Sequence, residues 1–208
     1  MLTHLLSILA PPLCIACGAD AGRASPLCRE CRLELAATRA APAPATGVHA
    51  WSAFAYDGPA GAVARGLKFG GRTRLADVMA AQIAAHAPPA LWTGTLVPVP
   101  LHPARLRRRG FNHAGLLADA LARRTGLPVA DCLRRRGDSA PQMGRGRQAR
   151  MRALAGTISV TGPGAPLRAL LVDDVVTTGA TLAACARALS EAGCANVGAV
   201  TYARTRGR

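Results

Sequence analysis

The chain has 208 residues, 50% of them hydrophobic, and 26 lysines and arginines against 11 acidic residues give a formal net charge of +15. That length buries one good core with room for a small appended module, and the apolar content excludes a generally disordered chain. The charge favours anionic partners such as phosphorylated metabolites or nucleic acid, and no apolar run approaches the ~18 residues of a membrane span.

Leu2 to Leu13 is apolar but short, has no basic residue before it and ends beyond Pro11-Pro12. It predicts a short helix over 2–10 packed on the body rather than a secretory signal, and a cytoplasmic protein. Cys14-Ile15-Ala16-Cys17 and Cys28-Arg29-Glu30-Cys31 follow, with ten residues between them. Each CxxC bends into a knuckle that gives two thiolates to one ion, so Cys14, Cys17, Cys28 and Cys31 together suit a tetrahedral, structural Zn²⁺. Two disulfides are the rival, but they need an oxidising compartment that nothing else in the sequence supports. A redox CxxC usually comes singly beside a βαβ unit. A closed Cys₄ site leaves no position for substrate, so its expected role is folding or docking. The module is expected over 1–39 and a Pro/Ala-rich linker over 40–47. The main domain is expected over 48–208.

A strand is expected around His49 to Tyr56, then a turn at Asp57-Gly58-Pro59 and helices over 60–68 and 73–87. The second helix has Leu75, Val78, Met79, Gln82 and Ile83 at helical spacing. Thr95 to Leu101 reads as a strand whose prolines mark its end and a constrained loop. An arginine-rich loop from His102 to His113 leads into a helix to about Arg124. Arg105, Arg108 and Arg109 are its candidate anion contacts, because clustered guanidiniums stabilise a multiply charged oxyanion. His102 and His113 read as hydrogen-bonded surface residues. Leu133 to Arg152 contains Gly, Ser, Pro and many arginines with few apolar residues, and reads as a basic lid. Strands are expected over 157–160 and 196–202, and Cys132, Cys185 and Cys194 as small core residues.

The most informative segment runs from Leu170 to Leu182: Leu-Leu-Val-Asp-Asp-Val-Val-Thr-Thr-Gly-Ala-Thr-Leu. Its apolar start predicts a buried parallel strand and Thr178 to Ser190 a helix. The loop between them would turn several N–H groups and the positive helix end towards one point, which suits a phosphate. Gly179 lets the backbone approach a ligand, and Thr177, Thr178 and Thr181 can donate hydroxyl hydrogen bonds. Asp173 and Asp174, at the carboxyl end of the strand, suit vicinal ribose hydroxyls or a metal ion. Rival nucleotide loops fit worse. The sole lysine is Lys68, outside any Gly-Lys-Ser/Thr, and no GxGxxG follows an expected strand.

This stretch, from Asp173 through Val175, Val176, Thr177, Thr178, Gly179 and Ala180 to Thr181, resembles the phosphoribosyl-pyrophosphate motif of type I phosphoribosyltransferases. With the paired CxxC knuckles, Leu67-Lys68-Phe69-Gly70, Val97-Pro98-Val99-Pro100-Leu101, Arg109-Gly110-Phe111-Asn112, Pro141-Gln142 and Thr201-Tyr202-Ala203-Arg204, nearly the whole chain resembles the ComF family of phosphoribosyltransferase-like proteins. Three positions depart from its pattern: Ala153 where an asparagine follows Arg150, Ile158 for a phenylalanine, and His113 for a glutamine. The resemblance implies an α/β fold with an open, mainly parallel sheet flanked by helices, plus the N-terminal zinc module. It implies binding of phosphoribosyl pyrophosphate with Mg²⁺ on residues 173–181, with transfer of the phosphoribosyl group to an unidentified acceptor. It also implies a link to competence and DNA uptake. The alternative is a non-catalytic module that binds single-stranded DNA or a DNA-processing protein through its arginines, although seven aromatics leave few platforms for bases.

Overall fold

The computed structural model describes residues 12–22, 25–38, 43–45, 48–136, 156–162 and 164–205. The expected helix over 2–10, and the lid beyond residue 136 with Pro141-Gln142, Arg150 and Ala153, lie outside the described residues.

Among the described residues there are seven strands: β1 (Ala43–Ala45), β2 (Val48–Ala55), β3 (Thr95–Pro98), β4 (Leu133–Arg135), β5 (Ile158–Val160), β6 (Arg168–Val176) and β7 (Asn196–Arg204). The helices are α1 (Arg29–Ala37), α2 (Gly58–Phe69), α3 (Leu75–His86), α4 (Pro103–Arg109), α5 (His113–Thr125) and α6 (Ala180–Glu191). The main sheet has the order β1-β2-β7-β6-β3; only β1 is antiparallel to its neighbour. β4 and β5 form a separate antiparallel pair. The expected open, mainly parallel sheet flanked by helices is the fold.

Parallel strands covered on both faces must be apolar on both, and β6 obeys this. Leu170 and Val172 pack into one core with α2, α3 and α5, whereas Ala169, Leu171 and Val176 pack into the other with α6, β4 and β5. The acid pair interrupts that run near its carboxyl end, before Val175 and Val176 return to the two cores. Cys132, Cys185 and Cys194 are buried as expected. The cysteine module is not set apart from the sheet: Cys14, Cys28, Cys31 and Leu35 share one apolar cluster with Val63, Leu67 and Phe54. Within the segment read as a linker, β1 pairs with β2, with Pro44 on an edge strand where no ladder N–H is required.

Candidate functional site

The site is assembled where β6 and β3 end side by side. β6 delivers Asp173 and Asp174, then Thr177 to Gly179 turn the chain into α6. The helix starts at Ala180, two residues later than expected, because Gly179 is its N-cap at φ +76°. That left-handed conformation costs a residue with a Cβ roughly 1–2 kcal/mol. Gly179→Ala is therefore expected to lower Tm by about 3 °C, readable by differential scanning fluorimetry. Thr178 Oγ1 accepts the Ala180 N–H at 3.4 Å, and the following amides begin the helix without an i−4 carbonyl of their own. Val175 and Val176 pack against the two cores, so their backbone alone is available to a ligand.

β3 runs parallel to β6 and Val99 N–H donates to Val172 O at 3.0 Å, which lays the next loop beside the acids. The Arg109-Gly110-Phe111-Asn112 run then has a mechanical sense. Gly110, at φ +81°, ends α4. Asn112 caps α5 through Ala114 N–H (3.2 Å) and donates to Val99 O (3.1 Å), tying the helix junction to the strand end. Arg105, Arg108 and Arg109 consequently line the cavity from a short helix rather than from a loop.

The cavity holds about 350 Å³ and is bounded by both aspartates, Thr181, Lys68, Arg105, Arg108, Arg109, His113 and Arg135, with Val99 to Leu101 and Phe69 completing its wall. Two of these residues overturn or extend the sequence reading. His113 is not a surface residue: it is buried, with Nε2 3.4 Å from Asp174 Oδ1 and 3.8 Å from Asp173 Oδ1. His102 is buried as well, and its Nδ1 accepts the Ala104 N–H at the start of α4. Arg109 Nη1 lies 2.9 Å from His113 Nδ1. A guanidinium only donates, so Nδ1 accepts and the ring proton sits on Nε2, facing the carboxylates. Lys68, read as a lysine outside any Walker loop and as part of the Leu67-Lys68-Phe69-Gly70 segment of the resemblance but given no role, reaches from the end of α2 to 2.9 Å from Asp174 Oδ2.

These contacts split the acid pair. Burial alone would raise Asp174, but His113 and Lys68 outweigh it and hold the carboxyl down at about 2. Asp173 is pushed well above the usual carboxylate range, first by burial and then by the charge of Asp174. It accepts the N–H of Asp174 at 2.9 Å and keeps 15% of its side chain exposed towards the cavity. Neither oxygen of Asp174 accepts a well-directed hydrogen bond. Asp174 is thus an ionised anchor committed to Lys68 and His113, and Asp173 is the carboxylate open to a ligand. Facing them, burial pulls Arg109 below its ordinary range, and although Asp174 opposes this, Arg105 and Arg108 add to it. Arg135, on β4, has its Nε buried without a partner. Crowded like charges of this kind are relieved by an anion.

A second cluster fits a metal. The sulfurs of Cys14, Cys17, Cys28 and Cys31 all lie within 4.8 Å of one another, and Cys17 Sγ is 3.7 Å from Cys28 Sγ. A tetrahedron of thiolates at ~2.3 Å from zinc has an edge of about 3.8 Å, whereas a disulfide needs ~2.05 Å. The first knuckle closes by Gly18 N–H donating to Cys14 O (2.9 Å), and Cys28 caps α1 by accepting the Cys31 N–H (3.5 Å). Burial raises Cys14, but backbone donors, led by Cys28, outweigh it and bring the thiol down to about 6. Burial and the neighbouring sulfurs push Cys31 upwards. The donor set suits Zn²⁺, whose binding would displace the thiol protons. A third group, His113 with Asp173 and Asp174, brings ligand atoms within 4.8 Å of one another, yet Lys68 already supplies a cation to Asp174. Asp173 is the member that suits a divalent ion brought in by a phosphorylated ligand. Among the described residues no helix is long and apolar enough to cross a membrane.

Comparison with known proteins agrees with this geometry. A model of the phosphoribosyl transferase domain matches residues 106–208, which include Arg108, Arg109, His113 and the acid pair but neither Lys68 nor Cys14, Cys17, Cys28 and Cys31. Over 200 residues the chain is 30% identical to the DNA utilization protein YhgH of Salmonella typhi, covering 93% of this chain and 84% of that protein.

Proposed function

Because the chain belongs to the ComF family of phosphoribosyltransferase-like proteins, we propose that it binds phosphoribosyl pyrophosphate and transfers the phosphoribosyl group to an acceptor. The main support is the juxtaposition of one open and one anchored carboxylate with a glycine-started helix and four cavity-lining arginines. The 5′-phosphate would sit on the amides and hydroxyls of Thr177 to Thr181, at the positive end of α6. Asp173 would accept hydrogen bonds from the ribose hydroxyls, while Asp174, fixed by Lys68 and His113, holds negative charge beneath the sugar. Arg105, Arg108 and Arg109 would receive the pyrophosphate. Mg²⁺, held by Asp173 and the ligand's oxygens, would neutralise charge on the departing group.

In the transfer the C1–O bond breaks, its electron pair leaves with pyrophosphate, and a nitrogen of the acceptor forms the new bond to C1 and loses its proton. Positive charge develops at C1 as this happens, and the two carboxylates stabilise it electrostatically. Cys14, Cys17, Cys28 and Cys31 would hold a structural zinc within a module spanning 1–39, joined to the transferase domain over 48–208 by the segment 40–47, whose strand β1 extends the edge of the sheet. Pyrophosphate release, measured with a panel of nitrogenous bases and Mg²⁺, tests the assignment. Release should depend on the base and vanish in Asp173→Ala/Asp174→Ala; release that survives in that double variant refutes it.

The second reading, a module that holds single-stranded DNA, draws support from the +15 charge and from the name of the Salmonella relative. Phosphate contacts make affinity fall steeply with salt, at about −0.7 in the log–log slope per phosphate neutralised on a single strand. A shallow slope, with no loss on replacing Arg134 to Arg136, would rule it out.

A further inference from the structure

The helix that supplies Lys68 is held by the cysteine module near both of its ends. α2 closes with Gly66-Leu67-Lys68-Phe69 and its cap, where Gly70 N–H donates to Gly66 O at 3.1 Å. Glycine weakens a helix because it exposes the backbone and loses the most entropy on ordering, and this last turn has one at its start and one at its cap. The space that a side chain at Gly66 would fill is taken by Ile15 instead. A Cβ there would overlap Ile15 Cδ1 and come within 2.7 Å of Leu75 Cδ1. Ile15 lies between Cys14 and Cys17 in the first knuckle, and its N–H donates to Pro26 O (2.9 Å), two residues before Cys28. Both knuckles therefore define where Ile15 sits. At the other end of α2 the Glu34 carboxylate of α1 occupies the space beside Gly58, where negative charge favours the start of a helix. Lys68 stands two residues beyond Gly66, lines the cavity and reaches Asp174 Oδ2 at 2.9 Å.

We propose that Ile15 is a positioning residue, and that zinc at Cys14, Cys17, Cys28 and Cys31 switches the acid pair between an anchored and an unanchored state. With the knuckles closed on the metal, Ile15 wedges the last turn of α2 and Lys68 stays on Asp174. With the metal gone the wedge loosens and Lys68 leaves. A closed Cys₄ site offers substrate no position, so any effect of the metal on the cavity must travel through packing of this kind. Loss of Lys68 would leave the buried Asp174 without its ammonium partner, an arrangement that costs a buried carboxylate heavily. Cys17 is exposed whereas Cys14, Cys28 and Cys31 are buried, which gives a competing zinc-binding molecule an entry to the metal. The site is then competent when zinc is plentiful and idle when it is scarce. This holds for Lys68 and Asp174 whichever ligand the cavity takes.

Lys68 is the sole lysine of the chain, so acetylation by N-hydroxysuccinimidyl acetate, followed by mass spectrometry of digests, reads it apart from the amino terminus. The amine reacts only while it is away from Asp174, and the rate therefore reports the pairing. The test uses the full chain loaded with zinc, with native mass spectrometry to count the metal and a thermal melt to show that each form is folded at the labelling temperature. Ile15→Ala should keep its zinc and its fold yet acetylate Lys68 at least about fivefold faster than the wild type, the lower end of a measurable coupling between sites. Ile15→Leu should keep the slow rate. So should Leu91→Ala, a truncation against the same core from outside the module. Removing zinc with a chelator, at a temperature where the protein stays folded, should speed the wild type by a similar factor and Ile15→Ala hardly further. The proposal is overturned if zinc-loaded Ile15→Ala labels at the wild-type rate, if Leu91→Ala labels as fast as Ile15→Ala, or if zinc removal leaves the rate unchanged. A chain that retains no zinc after reconstitution overturns it too. Should Ile15→Ala fail to fold or to hold zinc, Ile15→Val is read in its place against the same criteria.

Discussion

Asp173→Asn is expected to raise Tm at pH 7 by about 3 °C, the shift that ~1 kcal/mol produces in a chain of this size, and Asp174→Asn to lower it by about 10 °C. The two acids are adjacent in sequence and opposite in energetics. Asp173 is pushed up by burial and by Asp174, so keeping it ionised at neutral pH opposes folding. Asp174 faces Lys68 Nζ at 2.9 Å and the Nε2 of His113 at 3.4 Å, and removing its charge leaves a buried cluster without its anion. The signs with pH follow. Asp174 has a folded value of about 2, below the ~3.9 of an unfolded aspartate, so its stabilisation is present above about pH 4 and is lost as the pH falls towards 2. Asp173 has a raised folded value, so its contribution is favourable only at low pH and is lost as the pH rises through that value. Melting curves of the wild type and both variants from pH 3 to 8 check this, and equal losses in the two variants would contradict it. Asp173→Asn should nevertheless weaken sugar binding by about tenfold or more, because a charge-assisted hydrogen bond is worth roughly 1.5–3 kcal/mol. The site would then be less stable for the sake of its ligand.

The second large effect concerns the cysteines. Chelation, or Cys28→Ser, is expected to lower Tm by at least about 10 °C, since several kcal/mol of folding energy come from a structural zinc. The loss should not stay in the N-terminal module. Cys14, Cys28 and Cys31 share a core with Val63 and Leu67 of α2, the helix that ends in Lys68 and Phe69, and Ile15 packs against that core. Calorimetry should therefore show one transition, and mass spectrometry about one zinc per chain. Two separate transitions, or an unchanged melt after chelation, would contradict this account.

Much of the site was legible because its chemistry is local. In Leu170 to Thr181 a run of apolar residues, two acids, two valines and a cluster of small hydroxylic residues follow in sequence, and strand, loop and helix start come in that order. The arginines were legible as a charged run, although Pro103 at the first helical position starts a helix where a loop was expected. Lys68 and His113 were not legible. Periodicity tells which face of a helix is buried, not that the end of α2 and the start of α5 converge on one carboxylate. Lys68 did carry a signal, as the sole lysine among 26 basic residues. Arg135 is one of three consecutive arginines, and only its pairing opposite Ile158 distinguishes it from its neighbours. The strand at Ala43 to Ala45 was hidden by a Pro/Ala-rich composition that reads as linker, and its edge position accommodates Pro44.

Calorimetric titration of the full chain with phosphoribosyl pyrophosphate, with and without Mg²⁺, tests the central claim most directly. Saturable one-to-one binding that requires Mg²⁺ and is lost in Asp173→Ala is the predicted result. No heat beyond dilution, or binding that is indifferent to both Mg²⁺ and Asp173, would contradict it.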